Sequence, residues 1–307
     1  MLEAAQHWAQ DHTFSVREFP TEQLLAAKGE HRISVVIPAR NEGATIGSIV
    51  HAIRAELMDA AQLVDELLVI DSDSTDDTAK VAAAAGAVVH SAQEIAPAAG
   101  WRPGKGEAMW KSLFVATGDI IVFIDADLTS FRADYVTGLL GPLLANDRLQ
   151  LVKACYDRDL GADLGGIGQG GRVTELMARP VINLWWPELA GVMQPLSGEW
   201  AARRTFLESI PFPAGYGVEC AVLIDAYRHL GLPAIAQVDL GKRTHTHQDL
   251  TSLGVMAAEV LAAAQRRRFP QAQIHGDTIA HPTITDSGTA WSTSTINDVE
   301  RPAHTTL

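Results

Sequence analysis

Short apolar runs alternate with helical stretches from residue 33 to residue 153, and this alternation limits the fold more than any other feature of the chain. Five runs are typical of buried strands, at residues 33–38, 66–70, 87–89, 119–124 and 149–153. Helical patterns separate them, at residues 42–57, 76–85, 104–117 and 133–145. Continuously apolar strands joined by helices indicate a parallel sheet covered on both faces. The sequence therefore predicts an α/β fold whose ligands bind beyond the carboxyl ends of the strands.

The rest of the chain is less regular. We expect a helical lead-in over residues 1–30, a Rossmann-like half over 31–155, and a second half of the same domain over 156–269. Within that second half the sequence predicts helices at 172–185, 217–230 and 249–268 and a strand at 234–240. Residues 270–307 are rich in Ser, Thr, His, Asp and Pro, with few large apolar residues. Such a composition favours a C-terminal tail that is flexible or only loosely docked.

Charge and composition exclude several classes of protein. The 307 residues carry a formal net charge of −13, which disfavours binding to nucleic acid. No run reaches the roughly 18 apolar residues of a membrane-spanning helix, and the start lacks the basic and apolar regions of a secretory signal. The two cysteines, Cys155 and Cys220, are too few for a disulfide scaffold and are predicted to be inert. A cytoplasmic location is therefore expected.

Two aspartates, Asp125 and Asp127, follow the fourth predicted strand, with Ala126 between them. Residues i and i+2 of an extended chain point to the same side, so both carboxylates can face one ligand. Hard cations such as Mg²⁺ and Mn²⁺ take oxygen ligands and are often shared with substrate phosphates. The pair favours a divalent-metal site, although a solvated turn with an aspartate helix cap would give the same pattern.

Two further segments each allow both a structural and a functional interpretation. Residues 71–78 (DSDSTDDT) predict a helix cap at Ser74 or Thr75, and Asp71 and Ser72 could also bind a nucleotide's base or ribose. Lys105 lies among glycines at the start of a predicted helix, which suits an anion but also an exposed loop. The segment is not a P-loop, because Gly106 stands where serine or threonine is required.

The second half offers two candidate ligand-binding segments. Residues 166–171 match G-x-G-x-x-G, but they do not follow the first strand as a dinucleotide site requires. We interpret this loop as an anion pocket completed by Arg172 and Thr174, with a plain flexible loop as the alternative. The other segment contains Arg243, His245 and His247, where a histidine could bind metal or simply lie at the surface.

The order of these segments resembles a known family. The strings PARNE (38–42), DSDSTDDT (71–78), RPGKGEA (102–108) and DADL (125–128) are similar to GT-A fold nucleotide-sugar glycosyltransferases. Three later strings, GGRVTEL (170–176), QPLSGE (194–199) and GYGVE (215–219), narrow the resemblance to the glucosyl-3-phosphoglycerate and mannosyl-3-phosphoglycerate synthases. The likeness covers about residues 20–265. It implies a metal-dependent, retaining transfer of a hexose, with UDP-glucose as the expected donor, to the 2-hydroxyl of 3-phosphoglycerate, by a cytoplasmic homodimer.

The resemblance also implies a role for each matching residue. Donor-binding positions are Pro38, Ala39, Arg40, Glu42, Asp71, Ser72, Lys105, Asp125 and Ala126. Asp127 and His245 would bind Mg²⁺ or Mn²⁺, and Glu219 would bind the sugar hydroxyls. Gly171, Arg172, Thr174, Arg243 and His247 would hold the acceptor, and the Leu196 backbone would lie near the reacting carbon. Since no carboxylate is obviously placed as a nucleophile, we expect a front-face route in which the departing phosphate takes the acceptor's proton.

The donor and the class of function have alternatives. Arg40 replaces a more usual aliphatic residue and His247 a more usual asparagine, which leaves UDP-glucose, GDP-mannose or both as donors. An NAD-dependent oxidoreductase is a second possibility, and the missing glycine fingerprint after the first predicted strand counts against it. A non-catalytic nucleotide-sugar sensor is a third, and it would bind the donor without turnover.

Overall fold

The computed structural model describes residues 2–158, 171–243, 249–274, 276–285 and 288–307. The strands are β1 (Thr13–Ser15), β2 (Ile33–Ala39), β3 (Glu66–Asp71), β4 (Val88–Ser91), β5 (Ile120–Phe123), β6 (Leu151–Arg158), β7 (Trp200–Arg203), β8 (Phe212–Pro213), β9 (Ile235–Arg243), β10 (Thr278–Thr285), β11 (Gly288–Thr295) and β12 (Glu300–Arg301). The helices are α1 (Leu2–His12), α2 (Thr21–Lys28), α3 (Ile46–Ile53), α4 (Thr78–Ala85), α5 (Lys105–Ser112), α6 (Asp134–Ala145), α7 (Arg179–Trp185), α8 (Arg204–Glu208), α9 (Val218–Leu230) and α10 (Leu250–Arg268).

Eight of the strands form one sheet in the order β1–β9–β6–β7–β5–β2–β3–β4. Neighbours are parallel except where β7 pairs antiparallel with β5 and β6. The carboxyl ends of β2, β3, β5, β6 and β9 therefore lie at one edge of the sheet. The start of β7 lies at the same edge, because Phe123 in β5 pairs with Trp200 in β7.

Apolar side chains fill both faces of this sheet. Along β2, Val35 and Ile37 belong to one core and Val36 to the other, as the alternation of side chains in a strand requires. Helices α3 and α6 cover the first face, and α5 and α9 cover the second. This arrangement confirms the predicted α/β fold. Among the helices of the described ranges, none is long and apolar enough to span a bilayer.

The structure differs from the sequence prediction in short elements and at helix ends. The lead-in contains β1 as well as helices, and β1 pairs with β9. Strand β7 was not predicted either, because its sequence WAAR lacks the β-branched apolar run that marks the equally short β5 (IIVF). Helix α3 begins at Ile46, after a turn in which the Thr45 and Ile46 N–H groups both donate to the Glu42 carbonyl. The proposed domain boundaries stay a prediction.

The last residues of the chain differ from the flexible tail that composition favoured. Strand β12 pairs with β8, and the Arg301 guanidinium contacts both carboxylate oxygens of Glu107 at 2.6 Å. The Trp110 indole N–H donates to the Pro302 carbonyl at 2.8 Å. A few specific polar contacts, which composition does not reveal, hold these residues against the body of the protein.

Both cysteines are buried, and burial raises the pKa of each to about 12. A thiol with so high a pKa is almost entirely protonated near neutral pH and is a poor nucleophile. The structure therefore agrees with the prediction that Cys155 and Cys220 are inert.

Candidate active site

Hydrogen bonds join the two loops that follow β2 and β3. The Asn41 N–H donates to the Ser74 hydroxyl at 2.9 Å, and the Thr75 N–H donates to the Asn41 side-chain oxygen at 2.8 Å. Asn41 has a φ of 59°, which brings its main chain towards the second loop. The predicted cap of α4 at Ser74 or Thr75 was wrong, because both residues instead bind Asn41. The Asp76 carboxylate accepts the Thr78 N–H at 3.0 Å, and hydrogen bonding from Thr78 lowers the pKa of Asp76.

Asp71 ends β3 beside Ala39 of β2, where the nucleotide was expected. One of its carboxylate oxygens accepts the Ser74 N–H at 3.3 Å. The other oxygen is buried and makes no hydrogen bond with any described residue. A buried acceptor without a donor is costly, so a ligand N–H or O–H at this point would be stabilised. Ser72 is buried next to it, and its N–H donates to the Ala39 carbonyl at 2.9 Å.

The other predicted residues of β2 lie close by. Pro38 and Ala39 are buried at the carboxyl end of the strand, and Arg40 is exposed just beyond it. The Glu42 N–H donates to the Thr78 hydroxyl at 2.7 Å, which joins this segment to the start of α4. The four donor-binding positions predicted in segment 38–42 therefore lie at the functional edge of the sheet.

A cluster of three charged side chains, Lys105, Asp125 and Glu219, lies at the same edge. The Lys105 ammonium is 2.5 Å from a carboxylate oxygen of Asp125 and 2.6 Å from one of Glu219. Burial disfavours the charged amine, but the two carboxylates outweigh it and raise the pKa of Lys105 well above its ordinary value. The amine therefore stays charged, and it holds both acids ready to accept hydrogen bonds from hydroxyl groups.

Close packing of glycines makes this cluster possible. A side chain at Gly106 would collide with the Pro213 carbonyl, and one at Gly198 would collide with the Asp125 carboxylate. Gly104 has a φ of +132°, a conformation that few other residues adopt. Gly198 thus lets the 194–199 loop approach Asp125 directly, and Gly104 and Gly106 let the start of α5 pack on the main chain of residues 213–215.

Asp127 and Glu42 add negative charge beside the cluster. Burial and then the charge of Asp127 raise the pKa of Glu42 to about 7. Asp127 is exposed, while Ala126 is buried and its carbonyl accepts the Thr45 hydroxyl at 2.6 Å. The described residues contain no group of three His, Cys, Asp or Glu side chains that could hold a metal ion. Asp127 nevertheless offers hard oxygen ligands where positive charge is needed, so the donor chemistry fits a divalent cation.

The expected acceptor residues are only partly within the described ranges. Gly171, Arg172 and Thr174 lie at the start of the helical segment that leads into α7; Thr174 is buried and Arg172 is exposed. Arg243 ends β9, so its main chain reaches the same edge of the sheet. His245, His247 and residues 163–170 of the glycine-rich loop lie outside the described residues.

Leu196 lies in a tight turn beside the cluster. The Ser197 N–H donates to the Gln194 carbonyl at 3.0 Å and closes the turn, and the neighbouring Gly198 packs on Asp125. A buried lysine that sequence reasoning missed supports the turn: the Lys153 ammonium donates to the Ser197 carbonyl at 2.7 Å. Burial lowers the pKa of Lys153 to about 8. The sequence feature that could have indicated its role is the position of this lysine at the end of an otherwise apolar predicted strand.

Comparison with known proteins decides the family. Residues 34–175 match glycosyl transferase family 2. The glucosyl-3-phosphoglycerate synthase of Mycolicibacterium paratuberculosis is 48% identical over 265 residues, which cover 85% of this chain and 79% of that protein. The chain belongs to the glucosyl-3-phosphoglycerate synthase family. The synthase of Petrotoga mobilis is 46% identical over 79% of this chain and 75% of its own.

Solved structures agree with this assignment. The Mycobacterium tuberculosis glucosyl-3-phosphoglycerate synthase, in complex with Mn²⁺ and UDP-glucose, matches with a TM-score of 0.84 and 44% identity over 94% of this chain and 95% of that one. The mannosyl-3-phosphoglycerate synthase of Rubrobacter xylanophilus matches with a TM-score of 0.88 and 40% identity over 99% and 98%. These matches confirm the expected GT-A fold.

Proposed function

We propose that this chain transfers glucose from UDP-glucose to the 2-hydroxyl of 3-phosphoglycerate, giving glucosyl-3-phosphoglycerate and UDP. The observation that carries the proposal is the cluster of Lys105, Asp125 and Glu219 beside Asp127 and the unpaired oxygen of Asp71. Structures of the 44% identical Mycobacterium tuberculosis enzyme with UDP-glucose, and with UDP and glucosyl-3-phosphoglycerate, support the choice of substrates.

The donor's parts correspond to separate groups at the edge of the sheet. The free oxygen of Asp71 accepts an N–H of the base, and Ser72 lies beside it. Arg40 is exposed at the rim, where it adds positive charge near the nucleotide. Glu219 and Asp125 accept hydrogen bonds from the sugar hydroxyls, and Lys105 fixes both acids. Sugar and nucleotide are thus recognised by different residues of the chain.

Asp127 together with His245 would hold Mg²⁺ or Mn²⁺. The Mycobacterium tuberculosis relative has been solved in complex with Mn²⁺, which supports a divalent cation. Such a cation neutralises charge on the diphosphate and makes UDP a better leaving group. Glu42, whose pKa burial and Asp127 raise to about 7, adds to the negative field that attracts the cation.

The reaction exchanges one bond at the anomeric carbon for another. The acceptor's 2-hydroxyl oxygen bonds to this carbon as the bond to the diphosphate oxygen breaks. The hydroxyl proton passes to the departing phosphate, and attack from that same face retains the configuration. The main chain of Leu196 would lie near the reacting carbon. Its turn is closed by the Ser197 N–H, which donates to the Gln194 carbonyl, and is held by Lys153, which donates to the Ser197 carbonyl. Preorganised dipoles of this kind stabilise developing positive charge on the sugar.

The acceptor is a phosphate and carboxylate dianion or trianion, and the chain is acidic overall. Binding therefore needs local positive charge, which Arg172, Arg243 and the main-chain amides at Gly171 supply together with Thr174 and His247. Because Arg172 can bind an anion through two N–H groups, its loss removes a strong interaction.

Arg172→Ala should raise the KM for 3-phosphoglycerate by about 30-fold, because a charge-assisted hydrogen-bond pair is worth about 2 kcal/mol. The KM for UDP-glucose should change by no more than about twofold. Initial-rate kinetics with each substrate varied in turn measure both values. Arg228→Ala, at the far end of α9, is a matched control that should behave like the wild type. An equal rise in both KM values would refute the assignment of Arg172.

A donor panel tests the proposed function itself. The enzyme is incubated with 3-phosphoglycerate, Mn²⁺ and equal amounts of UDP-glucose and GDP-mannose, and the products are identified by mass spectrometry and NMR. Glucosyl-3-phosphoglycerate with retained configuration is the expected main product. A mannosylated product would favour the synthase represented by the Rubrobacter xylanophilus structure. Donor binding without any product would indicate a sensor, and nicotinamide binding without transfer an oxidoreductase.

A homodimer in the cytoplasm completes the proposal. The family resemblance supports the dimer, and the net charge of −13 is consistent with a protein that does not bind nucleic acid or acidic membranes.

A further inference from the structure

Glu259 lies on α10, outside the charged cluster, yet its carboxylate holds the loop that leads to Glu219. One oxygen accepts the Tyr216 N–H at 2.6 Å, and the other accepts the Asn297 N–H at 2.9 Å. Glu259 is 6% exposed. A side chain at Gly215 would collide with this carboxylate, so the loop is packed directly on Glu259.

Residues 297–301, here named the C-terminal strap, bind both segments that supply the cluster. The Ala214 N–H donates to the Val299 carbonyl at 2.8 Å, which joins the strap to the loop before Glu219. The Asn297 amide donates to the Pro103 carbonyl at 2.5 Å, two residues before Lys105. On its other side, Ala214 accepts the N–H of Glu107 in α5 at 2.9 Å.

We propose that Glu259 is a positioning residue for the sugar-binding cluster and that it acts through the loop at Tyr216 and the C-terminal strap. The inference rests on the proposed function, because it assigns the cluster to the sugar of the donor. Glu259 itself touches neither Lys105 nor the acids. Its two hydrogen bonds fix the main chain that carries Glu219 relative to the main chain that carries Lys105.

The specific consequence concerns the sugar and not the nucleotide. Asp71 ends β3 and Ser72 follows it, and neither makes a contact with Glu259 or the strap among its hydrogen bonds in the described chain. Loosening Glu259 should therefore weaken the binding of UDP-glucose while leaving the binding of UDP almost unchanged. General loss of structure would weaken both.

The test is Glu259→Gln, in which one oxygen becomes an NH₂ group that faces a main-chain N–H. We expect the Kd for UDP-glucose with Mn²⁺ to rise about tenfold and kcat to fall by about 10- to 100-fold, as misplacement of a site by a remote change does. The Kd for UDP with Mn²⁺ should stay within about twofold. Isothermal titration calorimetry and initial rates on the full chain give these values.

Glu208→Gln is the matched control, because it makes the same chemical change outside the cluster and the strap. The Glu208 carboxylate, on α8, pairs with Arg204 at 2.8 Å. This variant should bind both nucleotides like the wild type. If Glu259→Gln weakens the binding of UDP and of UDP-glucose equally, or changes neither Kd, the inference is overturned.

A second variant covers the case in which Glu259→Gln does not fold. Asn297→Ala removes the bond to Pro103 and keeps the main-chain N–H that binds Glu259. A selective loss of UDP-glucose affinity would support the strap's role, and an unchanged ratio of the two affinities would contradict it. If the wild-type enzyme binds UDP-glucose but does not glucosylate 3-phosphoglycerate, only the proposed function is contradicted. The ratio of the Kd values for UDP-glucose and UDP would still test whether Glu259 positions the cluster.

Discussion

Asp127→Ala should lose about a thousandfold in kcat, since removing a metal that stabilises a leaving diphosphate costs several kcal/mol at the transition state. Asp127 is exposed at the end of the loop after β5, so its replacement should not disturb the fold. Steady-state rates with UDP-glucose, 3-phosphoglycerate and saturating Mn²⁺ measure the loss. Circular dichroism and thermal unfolding should match the wild type.

Asp77→Ala provides the control for this variant. Asp77 is another exposed aspartate at the same edge of the sheet, with 79% of its side chain accessible. Its carboxylate lies 4.0 Å from the Lys80 ammonium. Its removal lowers the local negative charge by the same amount and should leave kcat within about twofold. If wild-type transfer survives excess EDTA, or if Asp127→Ala keeps most of its activity, the metal role of Asp127 is wrong.

Arg301→Met should lower the free energy of unfolding by about 3 kcal/mol, because it leaves Glu107 buried without its charged partner. Glu107 is fully buried, and each of its carboxylate oxygens lies 2.6 Å from an Arg301 nitrogen. Arg301 also donates to the Ala99 carbonyl at 2.7 Å, so the loss includes a partly buried hydrogen bond to the main chain. Urea unfolding followed by fluorescence, with the slope of the transition compared, measures the change.

Two variants show whether the buried pair causes the loss. Arg132→Met breaks an ion pair with Asp134 in which both side chains are about half exposed, and it should cost less than about 1 kcal/mol. Adding Glu107→Met to Arg301→Met should restore part of the lost stability, since the uncompensated charge is then gone. A loss for Arg301→Met no larger than that for Arg132→Met would mean that residues 297–307 contribute little to stability.

The central parallel sheet was predictable because its strands are runs of large and often β-branched apolar residues, as in β2, β3 and β5. Asp71 ends β3, and the polar segment 40–42 follows β2. Strand β1 has three residues, and β7 (WAAR) lacks the apolar run that marks the equally short β5. Their places in the sheet depend on partners that are distant in the chain.

The sequence indicated candidate site residues one by one but not how they are arranged. Asp125 and Asp127 were indicated by their spacing, whereas the contact of Lys105 with Glu219 joins residues more than 100 positions apart. That contact exists because β7 carries the chain away from this edge, and the loop of residues 213–217 then brings it back against the start of α5. Lys153 and Glu259 carried no motif, and their roles follow from burial and from the main-chain groups that they bind.

A crystal structure of this protein with Mn²⁺ and UDP-glucose would show directly whether the edge of the sheet binds metal and sugar as proposed. We expect an anomalous manganese peak at the Asp127 carboxylate, the base at Asp71, and glucose hydroxyls within hydrogen-bond distance of Glu219 and Asp125. Manganese and sugar bound elsewhere, with Asp127 and Glu219 touching neither, would contradict the proposed roles of these residues.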